Sequence, residues 1–488
     1  MLSVVTFSTL ALIAWGALAF GAVYPWAYRP LMAGAAVCAA AWWVAGVGDA
    51  VRGKAAAGLK PGPTYGGPTR ALALGLAAVA LATLLQLVPL PTAVLDSLSP
   101  ATVTVLLGFD LEYVARGGVS QALSIRPEST WLGLGLFVAL GVFLLGLARA
   151  LERVGVRRLA VGLVGLGTLL AVIGIVQKAT FTGTIYGFWE PTFRGSPFGP
   201  FVNKNHFAGW MMMTSSLSLG YFGALIARGM RDVKPGWRAR LLWFASPDAN
   251  RAVLVGAAVA VMGLSLVMTF SRSGITCFIL ALALTGFAVL RRQQSGSKRL
   301  VATTYLALVL TLSIGWAGLD AVARRFAEGS RSGQSRVEVW NDTLEIVRDF
   351  PIAGTGLNTY GTAMLFYQTV QPNVHYAEAH NDYVQLAAEG GLLLGLPILL
   401  TIGLFIREVR RRFREARDDE TTYWIRVGAV TGLLAMSLQE VVEFSLQMPG
   451  NALLFTVLAA IAIHRSGGAE AHRSGARRMR GFRAAGPS

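Results

Sequence analysis

Apolar runs of about 20 residues recur along this chain, and such a run inside hydrocarbon satisfies its own backbone hydrogen bonds only as a helix. They fall near 4–23, 31–47, 71–90, 131–148, 158–177, 207–227, 252–270, 274–290, 300–318, 385–406, 426–445 and 449–464. The pattern predicts an all-α polytopic membrane protein with about twelve transmembrane helices. Composition agrees, because 488 residues that are 54% hydrophobic and 14% charged carry too much apolar surface for one water-soluble core. The first run has no basic stretch before it and no small-residue cleavage site after it, which predicts a retained span. Cys38 and Cys277 both lie inside apolar runs, so neither a disulfide framework nor a thiolate metal site is expected.

An even number of spans puts both termini on one side, and basic residues say which. With the N-terminus inside, the segments 49–70, 149–158, 228–251, 291–299, 407–426 and 465–488 are cytoplasmic and hold 31 of the 43 Lys and Arg. The expected location is therefore a bacterial inner membrane with both termini cytoplasmic. In a soluble chain a pI of 10.4 would suggest nucleic acid, but here the excess charge is topogenic and faces anionic lipid, so membrane lipids and no nucleic acid are expected as partners. The basic runs Arg407 to Arg417 and Arg473 to Arg483 belong to that class.

This reading divides the chain into helices one to nine over 1–318, an outer loop over 319–384, helices ten to twelve over 385–464, and a basic tail over 465–488. A second outer segment spans 91–130. In the late loop, Arg336 to Phe350 is amphipathic, with Trp340, Leu344 and Val347 on one helical face before Pro351. The glycine-punctuated stretch Ile352 to Tyr360 follows, a turn suited to presenting backbone amides to a ligand. The stretch 49–70, rich in Gly, Pro and Lys, is a linker.

Polar residues at membrane depth are costly and tend to face a cavity or a partner. Arg272, in Thr269-Phe-Ser-Arg-Ser-Gly274, sits at the outer turn between two apolar runs, either as an arginine snorkelling to headgroups or as a fixed cation for a diphosphate. Asn203, Lys204, Asn205 and His206 crowd a helix start, where unpaired amides favour anions; an N-cap needs only one of the four. In the run from His380 to Gly395, the residues Asn381, Gln385 and Glu389 fall four apart and line one stripe headed by His380. Gly391 and Gly395 form a small-xxx-small pair that predicts close packing of a neighbouring helix. Glu440 and Glu443 share a face near the outer end of the eleventh run. They are partners for Arg272 or Arg336, or one of them is itself a base.

These residues carry a resemblance to the O-antigen ligase and O-antigen polymerase superfamily of bacterial membrane glycosyltransferases. Its His-Asn-x9-Gly-x3-Gly signature is matched at full spacing by His380, Asn381, Gly391 and Gly395. Ser271-Arg272-Ser273-Gly274, the stretch Arg336 to Trp340, and Pro351 to Gly356 are further family-like features. The likeness is strongest over about 195–450, while the first 130 residues agree in hydropathy and in Leu123 to Thr130. It implies a lipid-phosphosugar-dependent fold of the GT-C type that works without a cofactor or a metal. It also implies a periplasmic site that moves glycan from an undecaprenyl-diphosphate carrier to a glycan or lipid-A-core hydroxyl. By motif position Arg272 and Arg336 resemble the family's diphosphate-binding arginines and His380 its essential histidine, while Asn203, Lys204, Asn205, His206, Asn381, Gln385, Glu440 and Glu443 would contact substrate. The alternative is a polytopic transporter or flippase of lipid-linked or small anionic substrates. That class usually shows repeat symmetry and a midplane site, whereas the polar groups here collect at one face.

Overall fold

The computed structural model describes residues 2–56, 67–115, 117, 120–191, 196–231, 233, 236–291, 330–369, 373–415 and 420–465. The expected span at 300–318 and the basic run Arg473 to Arg483 lie outside them, as does part of the linker 49–70. The described chain is almost entirely helical, in the order α1 (Leu2–Leu18), α2 (Pro25–Ala56), α3 (Gly67–Leu85), α4 (Thr92–Leu98), α5 (Pro100–Phe109), α6 (Leu111–Ala115), α7 (Pro127–Val154), α8 (Arg157–Thr180), α9 (Lys204–Gly229), α10 (Trp237–Phe244), α11 (Asn250–Met268) and α12 (Arg272–Arg291). Then come α13 (Ser330–Asp349), α14 (Tyr360–Tyr367), α15 (Asp382–Glu415), α16 (Glu420–Gln439) and α17 (Pro449–Ile463).

Every apolar run read from the sequence, apart from 300–318, coincides with a helix. By length and composition six of these, α7, α8, α9, α11, α12 and α15, are able to cross a membrane, while α1, α3 and α17 are apolar but offer shorter windows. The solvent of the bundle is legible in its surface. Along α15, Leu392, Leu396, Leu399 and Leu400 are all exposed, an arrangement that suits contact with lipid tails rather than water.

α9 is the centre of the bundle. It packs against α8, α11, α12 and α16, and Thr214, Ser215, Ser216 and Ser218 are buried on it. Contact with α16 is backbone to backbone: a Cβ on Gly220 would strike the Trp424 carbonyl, and one on Gly428 would lie 2.9 Å from the Gly220 Cα. Close approach through small residues is what holds helices together where lipid removes the hydrophobic drive.

At one end of the bundle, the two segments expected outside the membrane meet. Segment 91–130 holds α4, bent by 120° from α5, and a short antiparallel pairing of Leu90 with Gln121 and Pro91 with Ser120. It is tied to the 352–358 turn by Ile125 N–H to the Thr355 carbonyl at 2.9 Å and by the Thr130 hydroxyl to the Leu357 carbonyl at 2.9 Å. A small core of Val339, Ile346, Phe350, Tyr360, Met364, Ala379 and Ala388 holds α13 and α14 against the start of α15.

Two local expectations are corrected. The buried face of α13 is Val339, Asp342, Thr343, Ile346 and Phe350, while Leu344 is 53% exposed. Of the expected face, Val347 is half-buried against this core and Trp340 donates to the Ala379 carbonyl at 2.9 Å, whereas the place of Leu344 is taken by Thr343, which donates to the Val339 carbonyl and meets Tyr360 Oη at 2.8 Å. Gly391 does not serve helix packing, and no described helix packs on Gly395. Gly391 has φ 51°, a break inside α15, and a Cβ there would lie 2.7 Å from the Ile352 carbonyl oxygen; Gly395 has no described residue within 4 Å. The partner that needs Gly391 is the turn after α13, not another helix.

Candidate functional site

The site is assembled from the ends of α9, α13, α15 and α16, and the short segment after α16 is its hub. Glu443, 2% exposed, accepts from Asn205 Nδ2 at 2.8 Å and from Arg336 Nη2 at 3.3 Å through the same oxygen, Oε1. Its other oxygen, Oε2, lies 3.9 Å from His380 Nδ1, and both of those buried atoms are without a hydrogen-bond partner among the described residues. Arg336 also donates to the Val442 carbonyl at 3.0 Å, so its guanidinium is held at two points. Three residues, the farthest of them 238 positions from Glu443 in sequence, are thereby brought around one carboxylate.

His380 is held by strain and stacking. Its φ is 52°, a region that non-glycine residues occupy at a cost and that clusters at functional positions. The Phe444 ring lies edge-on to His380 at 4.7 Å and to His206 at 4.8 Å, so one phenyl separates and orients two imidazoles. With Nδ1 turned to Glu443, the opposite ring nitrogen faces away, and the His380 side chain is 32% exposed. The preceding Glu378 was not singled out from the sequence. Burial pushes its carboxyl above the usual range while His380 pulls it back down.

The remaining expected residues divide by whether their hydrogen-bonding capacity is already used. Asn203 caps α9 by accepting from Asn205 N–H at 2.8 Å, and Asn381 caps α15 by accepting from Tyr383 and Val384 N–H at 3.1 and 3.2 Å, which is what short amide side chains do at helix starts. Gln385 accepts from Ala379 N–H at 2.9 Å and donates to Glu389 and Gln447. Asp382 accepts from Gln447 at 2.7 Å, and its backbone N–H donates to the Glu440 carbonyl at 3.0 Å. Glu440 is buried beside Asp382 and holds neither arginine. By contrast, the side chains of Lys204 and Arg272 pair with no described residue. Lys204 opens α9, and Arg272 opens α12, which packs on α9 so closely that a Cβ on Gly274 would lie 2.7 Å from that of Ala208.

The 352–360 turn is not an open amide cradle. Glu389 Oε2 and Oε1 accept from Asn358 and Tyr360 N–H at 2.8 and 3.0 Å. Gln86, fully buried, accepts from Leu357 N–H at 3.1 Å and donates to the Ala353 and Glu389 carbonyls at 2.6 and 2.9 Å. Both side chains are clamps that fix the turn, and through it α13 and Arg336. Gln86 escaped the sequence reading because it lies 271 positions from its partner; only its polarity within an apolar run marked it.

The arrangement offers an imidazole with a carboxylate behind it, a guanidinium fixed by the same carboxylate, and two further cations that pair with no described residue. Such a set accepts a proton at one point and holds an anion at another. A family model described as O-antigen ligase matches residues 257–399, under a third of the chain, which includes Arg272, Arg336, His380, Asn381 and Gln385. No curated protein matches the chain. The match supports the superfamily that the motifs resemble.

Proposed function

We propose that this member of the O-antigen ligase and polymerase superfamily moves glycan from undecaprenyl diphosphate to an acceptor hydroxyl at the periplasmic face of the inner membrane. The observation that carries the reading is the shared carboxylate of Glu443, which couples an arginine suited to diphosphate with a histidine suited to an alcohol. In the reaction the acceptor oxygen attacks the anomeric carbon and the bond from that carbon to the diphosphate oxygen breaks. The hydroxyl proton passes to the free ring nitrogen of His380, and the lipid diphosphate leaves with the bonding electrons. Glu443 stabilises the imidazolium through Nδ1–H after a closure of about 1 Å from 3.9 Å to hydrogen-bond distance. Arg336, Arg272 and Lys204 hold the departing charge; guanidinium suits this because it binds two phosphate oxygens at once.

Asn205 and His206 line the acceptor side, since both sit on the first turn of α9 beside Glu443 and Phe444. The roles expected for Asn381 and Gln385 in holding substrate become positioning roles: Asn381 sets the start of α15, and Gln385 fixes the strand of chain at Ala379 that carries His380. The test is reconstitution. Purified full-length protein in liposomes, supplied with an undecaprenyl-diphosphate-linked glycan and a core or glycan acceptor, should release undecaprenyl diphosphate in step with acceptor-linked glycan. Translocation of intact donor with no transfer would instead establish a flippase.

A further inference from the structure

At the opposite end of α9 from Asn205, a cavity of about 460 Å³ is lined by Arg157, Arg228, Arg251, Tyr221, Trp243 and Thr421. The three arginines come from three different helices: Arg157 opens α8, Arg251 stands in the first turn of α11, and Arg228 closes α9. None of them forms a hydrogen bond or ion pair with a described residue, and no carboxylate is among the described residues that line the cavity. Glu420, next to Thr421, is engaged by Arg231 at 3.1 Å. Like charges converge here with no compensating carboxylate among the described lining residues, while two helix starts add their positive dipole ends.

The wall of the cavity is built rather than incidental. α10 lies across it, and Trp243 is seated so tightly on α9 that a Cβ on Gly229 would strike its ring. The cavity therefore has an aromatic wall, two hydroxyl donors and three guanidinium groups within a volume ordinary for small-ligand sites. Its depth identifies the ligand's source. The α9 residues that line it run from Tyr221 to Gly229, so the cavity lies about 26–38 Å along the axis from the start of that helix, at the far edge of a hydrocarbon core about 30 Å thick.

We infer that this cavity binds the phosphodiester headgroup of an anionic phospholipid from the leaflet opposite the candidate active site. Arginines between helices at that depth are a recurrent means of recognising such headgroups. The site is separate from the Glu443 cluster, and its occupancy does not depend on the glycosyl-transfer reading.

The experiment is a titration of the purified full-length protein with phosphatidylglycerol and with phosphatidylcholine, read by native mass spectrometry and repeated with soluble glycerol 3-phosphate as competitor. One phosphatidylglycerol should bind with a preference of about 100-fold over phosphatidylcholine at low salt, roughly five-fold for each arginine. The triple variant Arg157→Gln/Arg228→Gln/Arg251→Gln should lose that preference, and Arg251→Gln alone should lower it about five-fold. A second triple, Arg407→Gln/Arg410→Gln/Arg414→Gln, removes equal charge from exposed positions outside the cavity and should change it less than about two-fold. Equal losses in the two triples would overturn the site in favour of delocalised surface charge. Displacement by glycerol 3-phosphate at the same concentration as the lipid would overturn the lipid assignment in favour of a free phosphate ligand.

Discussion

Glu443 determines how the other charged residues behave, and its two oxygens have different tasks. Oε1 is occupied by Arg336 and Asn205, whereas Oε2 faces His380 and has no hydrogen-bond partner among the described residues. Replacing Glu443 by Gln keeps the shape and one acceptor but removes the charge that stabilises an imidazolium. Turnover of Glu443→Gln should fall by about 10- to 100-fold with a smaller change in donor KM, toward the low end of what a proton-transfer partner contributes. Arg336→Lys should rescue little of the loss in Arg336→Ala, because one ammonium cannot serve both the Val442 carbonyl and Glu443 while binding phosphate. Near-normal kcat/KM for the lysine variant in a steady-state transfer assay would remove the diphosphate role from Arg336. At this scale the sequence located nearly all the participants but not their bonds. Glu440 and Glu443 look alike on a helical face, yet only Glu443 reaches an arginine, since the chain leaves the helix after Gln439 and turns the two carboxylates in different directions.

Among the elements, α15 is the one whose beginning matters most. Three buried polar side chains, Gln385 and Glu389 on the stripe and Asn381 just before it, accept hydrogen bonds from backbone N–H groups. The spacing of four made that stripe legible; what it faced was not, because the turn at 352–360 and Gln86 come from remote parts of the chain. The glycine pair illustrates the same limit. A four-residue spacing of glycines has two physical causes, close helix packing or a backbone conformation only glycine tolerates, and spacing alone does not separate them. The structure separates them. Gly391→Ala should lower the melting temperature and the yield of folded protein, equivalent to about 1–3 kcal/mol for strain and a clash with Ile352. Gly395→Ala should be neutral or stabilising by roughly 0.5–1 kcal/mol, as expected for an open helix position. Thermal unfolding of the two variants followed by size-exclusion chromatography measures the contrast, and equal destabilisation would restore the helix-packing explanation.

For the whole molecule, hydropathy identified the helices because lipid imposes a length and a composition that water does not. It did not identify the order in which they pack, with α9 central, since that follows from small residues such as Gly220 and Gly428 meeting across the bundle. The basic-residue asymmetry predicts the membrane orientation. A reporter fused after Ser335 should read periplasmic and one fused after Arg414 cytoplasmic; reversed signals would place the Glu443 cluster in the wrong compartment for a periplasmic donor. The central claim is that His380 accepts the acceptor's proton, and its most direct measurement is single-turnover transfer from purified undecaprenyl-diphosphate glycan by wild-type and His380→Ala protein, each shown to be folded and to bind donor. The account predicts a fall in rate of about two to four orders of magnitude with donor binding nearly unchanged. Transfer by folded His380→Ala protein at the wild-type rate would contradict it.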